Sequence, residues 1–358
     1  MKKLLIATDS FLPRWDGISR LLLEIVPDLK SEYDITIIAP DFKGDYAPDL
    51  GVNVVRIPLS MLRAGDYNFA KHKSRKIKKL ISEADIVFAQ TIGPIGWLSI
   101  FYAARMKKPI ASYVHSIDWD LVTMSISRKY LNHVILNLMK IFCRWIYSKS
   151  DVLLMPSKEA GRLFHEEGIG TRQEFVYLGV DTEKFVPAVD KAKSKEELGF
   201  APDSLVFGFH GRIGREKGVQ LLIETFDKVS REHPESVLLV VGCGVKDLED
   251  KLKNMPKVKH VRYAQDVVRY LQAIDIYVLP SYTETTSLST LEAMSCGCAV
   301  IASRVGLVKR YIKDKYNGLL FNPGNETVLK IKMKWLAENR DAIDELGQKA
   351  RMTIEDRF

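Results

Sequence analysis

The stretch "FHGRIGREKGVQLLIETF", beginning at Phe209, passes from an apolar segment into a helical one. Gly211, Gly214 and Gly218 allow a tight backbone path there, and Arg212 and Lys217 bring two cations to the helix start. A helix N-terminus favours an anion through its unpaired N–H groups. An arginine and a lysine beside it make a diphosphate clamp. An ordinary strand–turn–helix with surface charges fits the same residues. The Walker pattern G-x-x-x-x-G-K-[ST] is absent, and no G-x-G-x-x-G follows the first apolar run. The second absence argues against a dinucleotide oxidoreductase.

A second stretch, "PSYTETTSLSTLEAMSCG", runs from Pro280 to Gly297 and sets Glu284 and Glu292 eight residues apart. On one continuous helix they would stand about 12 Å apart, at ~1.5 Å per residue. That is too far for a paired acid–base site. A better fit puts Glu284 in a loop and Glu292 in the first turns of a helix. The backbone N–H groups between them, at Ser287, Leu288 and Ser289, would then face a ligand. Ser289 and Glu292 also satisfy S-x-x-E, a capping box that stabilises a helix start by about 1 kcal/mol. Taken alone, the stretch favours the capping box.

Three weaker candidates lie earlier. His115 closes the apolar run "PIASYVH", where a structural role is the ordinary one. Asp118 and Asp120 form a D-x-D pair, but no further ligands are evident and no metal is expected. Gly17, in "TDSFLPRWDGISR", frees the backbone to approach a ligand. It equally fits a simple turn with Asp16 or Ser19 near the helix start.

These residues need a scaffold, and the apolar runs supply one. "KKLLIATD", "DITIIAP", "NVVRIP", "DIVFAQ", "PIASYVH" and "DVLLMPS" are separated mostly by amphipathic stretches. The series restarts with "SLVFGFHG", "VLLVVGCG", "DIYVLPS", "AVIAS" and "GLLFN". Strands alternating with helices predict parallel sheets covered on both faces, with ligands at the strands' carboxyl ends. The expected fold is α/β: two doubly wound, Rossmann-like domains, 1–178 and 179–358, facing each other across a cleft. The polar, proline-containing segment 181–204 reads as the linker.

The 358 residues are 46% hydrophobic, enough for two cores. The net charge of +8 is uneven. Residues 1–178 hold 25 Lys and Arg against 19 Asp and Glu, and residues 179–358 hold 28 against 26. The basic first half suits an anionic partner. No apolar stretch reaches the ~18 residues of a membrane span. The apolar run near the start is short and reads as a buried strand, not a leader. Cys143, Cys243, Cys296 and Cys298 lack zinc spacing and suit buried thiols in a reducing cytosol. Residues 69–81, "FAKHKSRKIKKLI", carry six Lys or Arg and no acid. As a helix they would turn Phe69, Ile77, Leu80 and Ile81 to one side. This fits either a basic helix on an anionic membrane or a surface helix packed on the sheet. Residues 131–147, "LNHVILNLMKIFCRWIY", predict a buried or interfacial helix, with core packing favoured.

Together these segments resemble a retaining glycosyltransferase of family 4, with the GT-B fold, over nearly the whole chain. The most specific parts are "GRIGREKG" and "ETTSLSTLE" followed by "AMSCG" and "VIAS". "TDSFLPRWDGIS" resembles the opening of lipid-directed members such as diacylglycerol glucosyltransferases and phosphatidylinositol mannosyltransferases. The resemblance implies a nucleotide-sugar donor, UDP-sugar favoured and GDP-sugar possible, with no tightly bound cofactor. Arg212 and Lys217 would grip its diphosphate, Glu292 the ribose hydroxyls and Glu284 the sugar. The base would lie beside "VVGCG" and "RYAQDVV". His115 would contact the sugar and Gly17 the phosphates. The acceptor is a hydroxyl, on a lipid or a soluble sugar. The expected setting is cytoplasmic, peripheral to the membrane if residues 69–81 act as the basic membrane helix, with no nucleic acid involved. One departure is visible: Thr285-Thr286-Ser287 stand where the family usually has a glycine-containing run.

Overall fold

The computed structural model describes residues 1–358 except 15, 45–47, 65–66, 121–131 and 265. Trp15, Leu131 and Gln265, which belong to segments read above, therefore lie outside the described residues. The chain divides into two compact units, Met1–Tyr177 and Leu178–Phe358.

In unit 1 the strands are β1 (Lys2–Ala7), β2 (Tyr33–Pro40), β3 (Asn53–Ile57), β4 (Leu59–Ala64), β5 (Tyr67–Ala70), β6 (Ile86–Ala89), β7 (Ile110–Tyr113), β8 (Val152–Met155) and β9 (Gln173–Phe175). The helices are α1 (Gly17–Leu29), α2 (Ser74–Glu83), α3 (Pro94–Arg105), α4 (Asn132–Tyr147) and α5 (Lys158–Glu166). Seven strands form a parallel sheet in the order β3-β2-β1-β6-β7-β8-β9. β4 and β5 make a separate antiparallel pair.

Unit 2 contains α6 (Lys191–Glu197), β10 (Leu205–His210), α7 (Val219–Glu232), β11 (Ser236–Val241), α8 (Lys246–Asn254), β12 (Val258–Val261), α9 (Val268–Ala273) and β13 (Ile276–Leu279). It continues with α10 (Leu288–Ser295), β14 (Ala299–Ser303), α11 (Val308–Tyr311), β15 (Leu319–Phe321), α12 (Glu326–Glu338) and α13 (Arg340–Arg357). Its six-stranded parallel sheet has the order β12-β11-β10-β13-β14-β15. Every residue of β10, β13 and β14 is buried, as expected of strands covered on both faces. In each sheet the connection reverses direction once, between β1 and β6 and between β10 and β13. Such switch points leave a crevice at the carboxyl ends of the two strands.

Two expectations change. Residues 69–81 are not one helix, because Phe69 lies on β5, and α2 begins only at Ser74. Ile77 and Ile81 are fully buried in the unit 1 core, and Leu80 packs against it. They are not available to enter a membrane, while Arg75, Lys76, Lys78 and Lys79 are exposed. Helix α4 is only half buried. Cys143, Ile146 and Tyr147 face the core, whereas Val134, Leu138, Ile141 and Trp145 are 57%, 60%, 56% and 41% exposed. Their spacing of three and four residues sets them in one row along the helix.

In unit 2, Arg351 of α13 gathers separate pieces of backbone. Its guanidinium donates to the carbonyls of Thr182 (3.0 Å), Phe185 (2.6 Å) and Ser295 (2.8 Å).

Candidate active site

The loop after β10 is shaped by two glycines. Gly218, with φ +67°, is the N-cap of α7, and a Cβ there would stand 2.1 Å from the Pro280 carbonyl oxygen. Its lack of a side chain lets the start of α7 sit against the end of β13. Gly214 makes room of another kind. A Cβ there would meet the Glu216 carboxylate at 2.3 Å. That carboxylate instead pairs with the Arg212 guanidinium, with both side chains largely buried. Lys217 Nζ donates to both oxygens of Glu284, at 2.8 and 2.9 Å. Ser281 Oγ donates to Glu284 Oε1 at 2.8 Å. The backbone is fastened too, by Tyr282 N–H to the Glu216 carbonyl and Leu307 N–H to the Thr285 carbonyl, both 2.8 Å.

Glu284 lies in the loop after β13 and Glu292 inside α10, the division anticipated from their spacing. The capping box does not form. The N-cap of α10 is Ser287, and no side chain caps it. Ser289 is the second residue of the helix, so it stands past the capping position. Ser287 has φ 61° and ψ 75°, a left-handed conformation that a side chain makes costly by about 1–2 kcal/mol. The turn thus keeps a backbone suited to glycine while carrying a serine. A hydrogen bond of 2.8 Å between the Ser287 and Thr290 hydroxyls holds it. Tyr311 donates to the Thr286 carbonyl at 2.8 Å. Leu288 begins α10, so it and Ser289 contribute N–H groups at its first turn.

Glu292 is 1% exposed, and its Oε2 stands 2.8 Å from His210 Nε2 at the end of β10. The His210 ring meets the Tyr277 ring edge-on, and the Tyr277 hydroxyl donates to the His210 carbonyl. Burial holds the Tyr277 phenol well above its usual pKa, so it stays protonated as a donor. His210 and Glu216 were not singled out from the sequence. A polar residue ending a fully apolar strand was the available signal for His210.

In unit 1, His115 follows β7 and Gly17 opens α1. Asp16 caps α1 by accepting from Ile18 and Ser19 N–H groups, both 3.1 Å, so the turn reading of this segment is correct. A Cβ on Gly17 would meet nothing within 4 Å, so that position borders open space. His115 Nε2 lies 2.9 Å from Gln90 Oε1, and its ring stacks near Tyr113. Burial lowers its pKa to about 4, against a smaller upward pull from Asp16, so the imidazole is neutral near pH 7. Asp118 accepts from Tyr147 at 2.7 Å, and burial raises its pKa to about 6. Among the described residues no group of three or more His, Cys, Asp or Glu is placed to hold a metal ion.

Two family models match the chain in succession. "Glycosyltransferase Family 4" matches residues 15–184, and "Glycosyl transferases group 1" matches residues 190–353. The chain belongs to the group 1/family 4 glycosyltransferases. Among glycosyltransferase relatives, the sulfoquinovosyl transferase SQD2 of Arabidopsis thaliana is 29% identical over 76% of this chain. The chain spans 53% of that protein's length. A GDP-mannose-dependent alpha-(1-6)-phosphatidylinositol monomannoside mannosyltransferase of Mycolicibacterium smegmatis is 25% identical, over 88% of this chain and 84% of its own. Anabaena HepE, crystallised with UDP-glucose, has a similar fold, with a TM-score of 0.76 at 18% identity over 100% of this chain and 96% of its own. The fold is therefore that of the GT-B glycosyltransferases.

Proposed function

We propose that this glycosyltransferase moves a hexose from a nucleotide-sugar, UDP- or GDP-linked, to a hydroxyl of a membrane lipid, retaining anomeric configuration without a metal. One observation carries the reading. At the switch point of the second sheet, Lys217 of the loop after β10, four residues from Arg212 in sequence, meets Glu284 of the loop after β13, and α10, which carries Glu292, follows that loop. Breaking the anomeric bond leaves an oxocarbenium-like sugar and a nucleoside diphosphate. Arg212, Lys217 and the N–H groups of Leu288 and Ser289 stabilise the charge of that leaving group. Their positive charge is what makes a metal dispensable in this proposal. Glu292 holds the ribose hydroxyls, and Glu284 lies by the sugar. The diphosphate would help deprotonate the acceptor on the face it leaves.

The lipid acceptor is supported by the phosphatidylinositol-directed relative, the exposed basic face of α2 and the exposed apolar row of α4. Two experiments test the proposal. A thermal-shift screen of UDP-, GDP- and ADP-sugars reads the donor, and no stabilisation far above typical dissociation constants defeats the donor site. Flotation with anionic vesicles at low and high salt reads the surface. Absence of binding at both defeats the membrane part and leaves a soluble sugar or polyol as acceptor.

A further inference from the structure

Helix α4 turns apolar side chains outward as well as inward. Cys143, Ile146 and Tyr147 fill the unit 1 core from one side of the helix. On another side Val134, Leu138, Ile141 and Trp145 stand about half exposed, in a row that spans about 16 Å at ~1.5 Å per residue. Apolar residues scattered singly over a surface need no explanation, but four along one ridge do.

The row belongs to a wider face. Helix α3 packs against both α2 and α4, and all three line the same core. From α4 an aromatic chain runs onto α3: the Trp145 ring lies 5.9 Å from Phe101, and Phe101 lies 6.3 Å from Trp97. Cations cover two of these rings, Lys149 Nζ 4.9 Å from Trp145 and the Arg105 guanidinium 5.3 Å from Phe101. Helices α2, α3 and α4 hold four, one and two Lys or Arg, against a single acid, Glu83. Arg75, Lys76, Lys78 and Lys79 of α2 are exposed, whereas Lys140 of α4 is paired with Glu167.

These features choose between occupants. A helix ridge is convex, so a protein partner would need a groove to receive it, whereas a bilayer surface yields around it. A second copy of this face would set cations against cations. An anionic bilayer suits both parts, since its acyl boundary takes the apolar ridge and its headgroups attract Lys and Arg.

We propose that the α2–α4 face of unit 1 docks on anionic phospholipid. The row on α4 enters the bilayer, and the cations of α2 meet the headgroups. The inference rests on the proposed lipid acceptor and gives that reading its point of attachment; the experiment separates the two. The full chain is floated with vesicles of equal parts phosphatidylglycerol and phosphatidylcholine, and with phosphatidylcholine alone. The variants are Leu138→Asn with Ile141→Asn, Arg75→Gln with Lys78→Gln, and Ile331→Asn as a control at an exposed residue of α12. Each is checked for an unchanged melting temperature and molecular mass in solution.

The α4 double variant should partition onto the anionic vesicles at least about tenfold more weakly, because two apolar side chains leave the inserted row. The α2 double variant should lose roughly tenfold on the anionic vesicles alone. Ile331→Asn should bind as the wild type does. Trp145 emission, read as wild type minus Trp145→Phe, should shift to the blue on anionic vesicles. Flotation that the α4 double variant retains overturns the inference and leaves the lipid acceptor standing. Equal binding to both kinds of vesicle overturns the choice of an anionic surface. A wild-type dimer that the α4 double variant splits, with flotation unchanged, assigns the row to a second copy and also overturns it. A wild-type protein that floats with neither vesicle defeats the inference and the membrane reading together.

Discussion

Replacing Glu216 by glutamine should tighten nucleoside diphosphate binding. The Glu216 carboxylate pairs with Arg212, the residue proposed to grip the diphosphate. A bound diphosphate must take that carboxylate's place. The side chains are 19% and 10% exposed, so the pair is only partly screened by solvent. Glu216→Gln keeps a hydrogen bond to the charged guanidinium and removes only the carboxylate's charge, and with solvent partly screening the pair this weakens the competing contact by about 1 kcal/mol. The amide has the shape of the carboxylate, and the 2.8 Å bond from Tyr282 N–H to the Glu216 carbonyl is untouched. UDP or GDP, whichever binds, should therefore gain about fivefold in affinity, 1.4 kcal/mol being tenfold. Calorimetry at low salt and at 0.5 M salt, roughly, is the assay, and screening should shrink the gain at high salt. An unchanged or weaker affinity at low salt would refute the reasoning. Glu216 would then aim Arg212 at the ligand instead of competing with it.

Other outcomes follow from the same geometry. Glu292→Ala should weaken nucleotide binding, while Glu284→Ala should mainly lower the rate of transfer; equal nucleotide affinity in wild type and Glu292→Ala contradicts the first part. Ser287→Gly and Ser287→Ala both lose the hydroxyl bonded to Thr290, but only glycine relieves the left-handed backbone. Denaturant unfolding should thus place Ser287→Gly above Ser287→Ala by about 1 kcal/mol. Asp118 has its pKa raised from 3.8 to about 6, so its stabilising contribution is full below pH 3.8 and is lost as the pH rises through about 6. Asp118→Asn, which mimics the protonated form, should raise the melting temperature at pH 7.5 and leave it unchanged near pH 4. His115 has the opposite sign. Its pKa falls from 6.5 to about 4, so stability should decline as the pH drops from 6.5 towards 4, and a His115→Gln protein should lose less over that window.

The strands were legible because parallel sheets covered on both faces need continuous apolar runs, and "LVFGFH" and "AVIAS" are such runs. The separate places of Glu284 and Glu292 were legible from rise per residue alone. What escaped depended on neighbours distant in sequence. Phe69 belongs to a short hairpin whose other strand begins ten residues earlier, and local periodicity near a lysine-rich helix hid it. The capping box failed because the helix starts at Leu288, so the N-cap falls on Ser287, a left-handed serine that no local pattern announces. His210 meets Glu292 only through the fold, across 82 residues, whereas Glu216 pairs with Arg212 only four residues away, through a loop geometry that charge spacing does not announce. The exposed row on α4 shows the limit of composition. Its residues look like core, and only their surroundings show that one side faces solvent.

The grip of Arg351 has a mechanical consequence. The guanidinium holds the carbonyls of Thr182 and Phe185, where the chain enters the second unit, and that of Ser295, where α10 ends. Entry segment and helix therefore hang from one rivet. Tension along the incoming chain therefore reaches the helix that carries Glu292 through these hydrogen bonds as well as through the shared core. Conversely, a ligand that seats α10 more firmly stiffens the anchorage of the connection between the units.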